Sequence, residues 1–321
     1  MPLSPGATAG TAPTLSFSDT RSPFCGSLLG SAFVFSRTSS CGVLPLFVAV
    51  ISIFPRASSG FAGVNFRDGE SNVPTWMIER NSIVPKTEPR RFFLRSGDTL
   101  DDEQPAETEP GDSYAYPLPS PDLTEPGTGT GTTTFKVPVT PGGSVAYTTE
   151  PFEQDLVVAG PASLDLWLSS TASDTDLQVT LTEVRPDGQE TYVQRGWLRA
   201  SHRKLDPARS TALRPYHTHL RADAQPLERL APTFMRVEVF PFAHAFRAGS
   251  RLRLWIDAPT SHTGFWAFAP HPEPTVNTVL HDPDHPSRLV LGRLPRERAE
   301  APLPECDVLR NQPCRPDPLA Q

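Results

Sequence analysis

Eight histidines are the residues of this chain best suited to acid–base or metal chemistry, and all of them lie beyond residue 200. His217 and His219, in the run HTH, would point to one face of a strand, which is a spacing that a metal-binding pair can use. His281 and His285 enclose two aspartates in the run HDPDHP. For each set a ligand or catalytic role competes with a structural one, and the prolines and polar neighbours favour a polar connection or a turn. The other histidines are His202, His244, His262 and His271.

A serine nucleophile of the acyl-transfer type has no signature in this sequence. Such a serine sits on a sharp strand-to-helix turn with the pattern G-x-S-x-G, or with one more residue before the last glycine. Neither spacing occurs, and Ser144 after Gly142 and Gly143 belongs to a Gly/Pro-rich loop. Residues 1–89 also contain no histidine. The sequence therefore predicts no catalytic residue, no metal site and no cofactor.

Paired carboxylates and cysteines are the remaining candidates for chemistry. Asp174 and Asp176 either bind a hard cation through their oxygens or cap a turn, and their place at the start of a strand favours the cap. No CxxC occurs, which argues against a zinc site. Cys306 and Cys314 are eight positions apart, and they are either two free thiols or a disulfide formed in an oxidising compartment. The other two cysteines are Cys25 and Cys41.

An aromatic segment at 261–270, SHTGFWAFAP, is the candidate interface or pocket loop. It follows a predicted strand and brings together His262, Phe265, Trp266 and Phe268. Exposed aromatic side chains in a loop are typical of interfaces. The alternative is a hydrophobic plug packed beneath the loop.

The elements that must position these residues read as short strands. Ser163–Leu168 and Asp176–Leu181 alternate apolar and polar residues, which predicts a pair of half-buried antiparallel strands. Similar runs with turn signals between them predict an all-β sandwich or jelly roll. Trp167, Trp197 and Trp255 fall inside strand patterns and are predicted to lie in the core. The further predicted strands are Arg90–Leu100, Thr191–Leu198, Phe234–Pro241, Ser250–Asp257 and a last pair, Thr278–Leu280 with Ser287–Leu291.

Composition divides the chain into three parts. The 37 prolines and the modest hydrophobic content of 37% indicate a core accompanied by long proline-rich segments. Residues 1–89 are predicted to be a mostly disordered, low-complexity or non-native segment, 90–295 the sandwich, and 296–321 a proline-rich tail. Within the sandwich, residues 101–134 are predicted to form a long loop that lies over a sheet and is pinned by Tyr114 and Tyr116.

An apolar run of 13 residues, Gly42–Phe54, is too short to span a bilayer, which takes about 20 residues. It has the length of a signal-peptide core, so a secreted or periplasmic location competes with a cytoplasmic one. The net charge of −7 comes without a basic block, which argues against a nucleic-acid partner.

Five ordered segments between residues 90 and 292 carry a family resemblance. They include RRFFLRSGDTL, the run from Thr148 to Gly188, and RVEVFPFAHAFRAGSRLRLWI. The chain resembles the C-terminal domain of X-Pro dipeptidyl-peptidases and cocaine-esterase-like (CocE/NonD) serine hydrolases. That resemblance implies a jelly-roll sandwich similar to galactose-binding domains, serving a hydrolase whose catalytic α/β domain lies upstream.

Two functions follow from this resemblance and these residues. The first is an accessory sandwich of a dipeptidyl-peptidase or acyl esterase, with the hydrolase domain as partner; this chain is expected to be inactive alone and to be a truncated product. The alternative is a free-standing carbohydrate- or protein-binding module, for which the aromatic segment 261–270 would provide the platform.

Overall fold

A computed structural model describes residues 87–116, 141–259, 273–299, 301–306 and 312–320. Within these ranges the chain forms twelve β-strands and two short 3-10 helices, Ala200–His202 and Arg221–Asp223. The prediction of an all-β sandwich is confirmed. The strands are β1 Glu88–Arg95, β2 Thr99–Asp101, β3 Asp112–Tyr116, β4 Val145–Thr148, β5 Leu156–Ser170, β6 Asp176–Val184, β7 Gln189–Arg199, β8 Thr233–Phe246, β9 Arg251–Asp257, β10 Thr275–Leu280, β11 Arg288–Arg293 and β12 Cys314–Pro316.

The strands form two layers. The first runs in the order β12-β7-β6-β9-β4, and all of its ladders are antiparallel. The second is built around the long strand β5, which pairs with β8 on one edge and with β11 and β10 in succession on the other. A single parallel bridge between Thr99 and Thr148 connects the layers through β2 and β4.

Two predicted strand pairings are wrong. β5 and β6 do not pair with each other, because the connection after Ser170 carries the chain from one layer to the other. β10 and β11 do not pair either; each binds a different part of β5. Adjacent strands in sequence make hairpins often but not always, and here crossovers intervene.

The core lies between the layers. Leu164, Leu166 and Leu168 of β5 are fully buried and pack in one cluster with Leu177 and its neighbours on β6. The inward face of each strand is therefore the one that the alternating pattern predicts. The prediction that these strands are half-buried is wrong, since the opposite face of β6 is buried too, including Gln178, Thr180 and Thr182.

The three strand tryptophans differ in burial. Trp255 is buried, whereas Trp167 and Trp197 are half-buried. Trp167 packs against Phe234, and Trp197 against Phe240, with ring centroids 5.2 and 5.4 Å apart. Only one of the three predicted core tryptophans is therefore fully enclosed.

One strand position requires glycine because the two layers approach each other closely there. A Cβ atom on Gly196 of β7 would lie 1.8 Å from the carbonyl oxygen of Glu238 on β8. No side chain fits at that distance, so β7 and β8 touch through their backbones. The runs RPDG and FRAGS contain Gly188 and Gly249 at φ of +78° and +83°, the left-handed region that favours glycine.

The long loop predicted at 101–134 contains a strand. Tyr114 and Tyr116 are buried, as expected of pinning residues, but they belong to β3, which pairs with β10. The period-two signal was too short to reveal this strand, because Pro and Gly surround it in sequence.

Candidate functional site

The predicted interface residues His262, Phe265, Trp266 and Phe268 lie outside the described residues. On either side of this segment, β9 ends at Asp257 and β10 begins at Thr275. A group of polar side chains, here called the Asp257 cluster, occupies this end of the sandwich. Its members are Asp257, Gln178, Trp197, Asn277 and Tyr114.

Asp257 is the titratable centre of that cluster. It is only 3% exposed, and one of its oxygens accepts a hydrogen bond of 3.2 Å from Nε2 of Gln178. The Oε1 atom of Gln178 in turn accepts a bond of 2.7 Å from the indole of Trp197. Burial raises the pKa of Asp257 to about 7, although the charge of Arg195 and the bond from Gln178 oppose the rise. This carboxyl group therefore changes charge near neutral pH.

The β10 side of the cluster is neutral. Asn277 is fully buried and donates from Nδ2 to the Thr175 hydroxyl at 2.9 Å. Burial raises the pKa of the neighbouring Tyr114 well above its ordinary value, so this hydroxyl stays protonated. The cluster ties β3, β6, β7, β9 and β10 together at the end from which the aromatic segment departs.

Asp174 accepts protein donors at Oδ1, and Asp176 accepts them at both of its oxygens. Asp174 accepts from the backbone N–H groups of Thr175 and Ser201, at 3.0 and 2.8 Å. Asp176 forms a two-bond ion pair with Arg199, at 2.7 and 2.8 Å. Among the described residues no group of three or more histidine, cysteine, aspartate and glutamate side chains is arranged to hold a metal ion.

The HTH pair is divided, since His217 is buried at 5% exposure, whereas His219 is exposed, as a polar connection predicts. Its ring lies 5.5 Å from that of His219. Burial lowers the pKa of His217 to about 4, helped by the positive charges of His219 and Arg236. His217 is therefore neutral at physiological pH.

His281 belongs to a buried network that the sequence did not indicate. The ring is fully buried, with Nε2 2.8 Å from Asp112 and Nδ1 3.3 Å from Glu109. Glu109 also accepts bonds from Arg95 and from the backbone N–H of Ser96. Burial opposes ionisation of Glu109, but these two bonds and the charges of Arg95 and His281 outweigh it and lower its pKa. His285, by contrast, caps its own turn through Asp282.

A second unexpected pair joins the two layers. Nε2 of His244 on β8 lies 2.9 Å from Oε2 of Glu183 on β6, and both side chains are 3% exposed. Burial opposes ionisation of Glu183, yet the bond and charge of His244, with donors from Ser250 and Arg247, lower its pKa. Both side chains line a small pocket to which the segment 303–306 also contributes. No local pattern marks it, since the two residues are 61 positions apart.

The described residues contain no catalytic constellation of the serine hydrolase type. A nucleophile requires a serine hydroxyl within hydrogen-bond reach of a histidine that an acid orients. His244 and His281 have the acid partner, but within the described ranges no serine hydroxyl is hydrogen-bonded to a histidine ring. This arrangement can position and support chemistry, but it does not assemble a nucleophile with its base.

Cys306 and Cys314 are joined by a disulfide, with Cα atoms 5.4 Å apart. The tail beyond it is ordered rather than loose: β12 pairs with β7, and Asp317 accepts a bond of 2.6 Å from Arg253.

Neither of the two 3-10 helices in the described ranges has the length or apolar character needed to cross a bilayer.

Comparisons with known proteins agree on one family. The family model described as X-Pro dipeptidyl-peptidase C-terminal non-catalytic domain matches residues 62–290. Two proteins named "putative serine esterase", from Mycobacterium bovis and Mycobacterium tuberculosis, are 34% identical to the chain over 150 residues. That match covers 46% of this chain and 23% of each relative, so the chain corresponds to about a quarter of their length.

Solved structures give the same fold. A CocE/NonD family hydrolase from Staphylococcus aureus matches with a TM-score of 0.51 and 20% identity, over 65% of this chain and 37% of the hydrolase. At this identity the likeness concerns the fold. The sandwich of the chain is thus the counterpart of one part of a much longer protein.

Proposed function

Because this chain belongs to the family of X-Pro dipeptidyl-peptidase C-terminal non-catalytic domains, we propose that it is the accessory β-sandwich of a serine hydrolase. It acts by docking on a catalytic α/β-hydrolase domain. The observation that carries the proposal is the family match over residues 62–290. The lack of a serine–histidine pair in the described ranges supports it, because a non-catalytic domain needs none.

The reaction of the complete enzyme is hydrolysis of ester or amide bonds, including release of Xaa-Pro dipeptides. A serine of the catalytic domain attacks the carbonyl carbon, and a histidine accepts its proton. The sandwich contributes surface rather than reacting groups. It forms part of the wall of the active-site pocket in the catalytic domain. It also helps to exclude water from that pocket, which strengthens electrostatic interactions at the reacting atoms.

The docking segment in this proposal is 261–270, with Trp266 as its central anchor. Large aromatic side chains are the residue type on which interface energy concentrates. The chain re-enters the described sandwich at Glu273, which forms an ion pair of 2.8 Å with Arg229, and at β10. The Asp257 cluster includes Asp257 of β9 and Asn277 of β10, the two strands that flank this segment in sequence.

An activity assay tests the non-catalytic assignment. The purified chain is incubated with Ala-Pro-p-nitroanilide and with a p-nitrophenyl ester, alongside a serine-reactive fluorophosphonate probe. We expect neither turnover nor labelling. Turnover together with labelling of one serine would show that the chain carries its own nucleophile and would overturn the proposal.

An association assay tests the docking role. A CocE/NonD hydrolase domain is titrated with the chain, and with Trp266→Ala, by isothermal titration calorimetry. We expect Trp266→Ala to weaken binding by about 2 kcal/mol or more, the cost of removing a hot-spot aromatic. Phe234→Ala is the control, because Phe234 is an aromatic residue 42% exposed on β8 that packs against Trp167, outside the Asp257 cluster, and it is expected to leave the affinity unchanged. Equal affinity of all three proteins would exclude 261–270 as the docking segment.

A further inference from the structure

The segment 301–306, here called the strap, covers the buried Glu183–His244 pair. Leu303, Pro304 and Cys306 of the strap line the same pocket as His244 and Glu183. No strap residue is fully buried; residues 302 and 305 are exposed and the others are half-buried. The strap thus lies over the pair without being packed into the core.

Few contacts between described residues hold the strap in place. Its one hydrogen bond to another described segment is accepted by the carbonyl of Pro304 from Nη1 of Arg185, at 2.8 Å. The covalent link from Cys306 to Cys314 is its other attachment. Segments with little buried surface and few hydrogen bonds open at low free energy. The disulfide therefore decides whether the strap stays closed.

The partner cysteine belongs to a segment that is anchored much more firmly. The carbonyl of Pro313 accepts a bond of 3.0 Å from the Tyr192 N–H, and Cys314 pairs with Thr191 in the β7–β12 ladder. Nη2 of Arg315 lies 2.6 Å from Oε2 of Glu190, whose side chain is 1% exposed. This segment keeps its place without the disulfide, so cleavage of the bond releases only the strap.

We propose that the Cys306–Cys314 disulfide is a redox-sensitive clip, which in its oxidised form closes the strap over Glu183 and His244 and in its reduced form lets water reach them. In the switching step a thiolate of a dithiol reductant attacks one sulfur of the bond. Its second thiol, as a thiolate, then attacks the reductant sulfur of the mixed disulfide and releases the remaining cysteine as a thiolate. The reductant becomes a cyclic disulfide, and Cys306 and Cys314 become thiols after taking up two protons.

Opening of the strap changes the solvent exposure of Glu183 and His244. Two groups bonded in a dry site interact more strongly than the same groups in water, because solvent screens their charges. A closed strap keeps the bond between β6 and β8 dry, and an open strap gives solvent access to the His244 ring. Access to that ring is therefore a direct readout of the position of the strap.

Chemical modification of the histidines tests this directly. The full chain is treated with diethylpyrocarbonate in its oxidised form, after dithiothreitol, and as the double variant Cys306→Ser, Cys314→Ser without reductant. The modification rate of each histidine is measured by peptide mass spectrometry, which also confirms the state of the cysteines. His217 is the internal control, since it is similarly enclosed at 5% exposure but does not line the pocket that the strap shares with His244.

We expect the rate at His244 to rise about tenfold or more in the reduced chain and in the double variant, which corresponds to roughly 1.4 kcal/mol in the free energy of local opening. The rate at His217 is expected to stay constant. An unchanged rate at His244 with both thiols free would overturn the proposal. A parallel rise at His217 would also overturn it, because the bond would then stabilise the whole sandwich rather than clip the strap.

Discussion

Tyr147 and His281 hold the same carboxylate oxygen, since the Tyr147 hydroxyl and Nε2 of His281 each lie 2.8 Å from Oδ2 of Asp112. The two rings also meet edge to face, with centroids 5.9 Å apart. One carboxylate thus connects β3, β4 and the turn after β10. It is the structural centre of a network that reaches Arg95 through Glu109.

Tyr147→Phe should lower the free energy of unfolding by about 1.5 kcal/mol, because it removes a hydrogen bond to a charged group. Urea denaturation measures the change. His281→Ala should cost more, since it also empties a fully buried site. Tyr216→Phe is the control: Tyr216 is half-buried, and its side chain contacts other described residues through the ring, which lies 3.4 Å from the guanidinium carbon of Arg209. If Tyr147→Phe and Tyr216→Phe are equally stable, the shared oxygen contributes nothing.

The fold could be predicted from the sequence to the extent that local patterns decide it. Alternation correctly assigned the inward faces of β5 and β6, because the period of a strand is a local property. Partner choice is not local: Leu156 pairs with Phe246, and the chain between them forms two strands of the other layer. Burial of the outer face of β6 was missed for the same reason, since polar Gln178 looks like a solvent-facing residue until its partner Asp257, 79 positions away, is known.

The buried polar pairs were equally hidden. His281 lies 169 positions from Asp112, and its neighbours Asp282 and Asp284 suggested a turn role. The turn exists, but His285 serves it. The turn role predicted for both histidines is therefore confirmed for His285 and wrong for His281, because tertiary contacts outrank neighbours along the chain.

Glu183→Gln should lower the free energy of unfolding at pH 7 by about 1–3 kcal/mol, the cost of weakening a buried charged hydrogen bond. The folded-state pKa of Glu183 lies below its ordinary value of 4.5. Its contribution is therefore full above pH 4.5 and is lost as the pH falls through the lowered folded value. Urea denaturation from pH 7 down to pH 3 measures the difference between wild type and variant.

The control for this series is Glu150→Gln, because the Glu150 side chain is 88% exposed and its ion pair with Arg251 is 3.7 Å long. Exposed pairs contribute little to stability. A Glu183→Gln effect that does not shrink at low pH would contradict the assignment of its pKa shift.

Arg315→Ala should loosen the C-terminal segment. Arg315 donates from Nε to Glu190 at 2.8 Å, and Glu190 also accepts from Thr182 and Trp255, each at 2.7 Å. Removing one donor to a buried carboxylate should lower the free energy of unfolding by about 1.5–3 kcal/mol. Thermal unfolding measures it, with Arg251→Ala, 40% exposed, as the control that should behave like wild type. Similar melting temperatures for the two variants would mean that Glu190 is satisfied without Arg315.

Asp257→Asn should stabilise the protein at high pH. Burial raises the folded-state pKa of Asp257 to about 7, against an ordinary value of 3.8. A carboxyl with a raised folded pKa contributes its full stability below pH 3.8 and loses it as the pH rises through about 7, because the folded state then holds an ionised, poorly solvated group. Asparagine has nearly the same shape and no charge, so it removes this penalty while still accepting the bond from Gln178.

The gain at pH 8 should reach at most roughly 4 kcal/mol, since one pKa unit corresponds to about 1.4 kcal/mol. It should vanish near pH 3.5, where Asp257 is protonated in both proteins. Asp165→Asn is the matched control with the opposite sign: Asp165 is 7% exposed and bonds to Arg236 at 2.6 Å, so loss of its charge should destabilise. Urea denaturation at pH 3.5, 6 and 8 measures both variants. A destabilised Asp257→Asn at pH 8 would show that the carboxylate is ionised and well solvated there, so that Asp257 would not change charge near neutral pH.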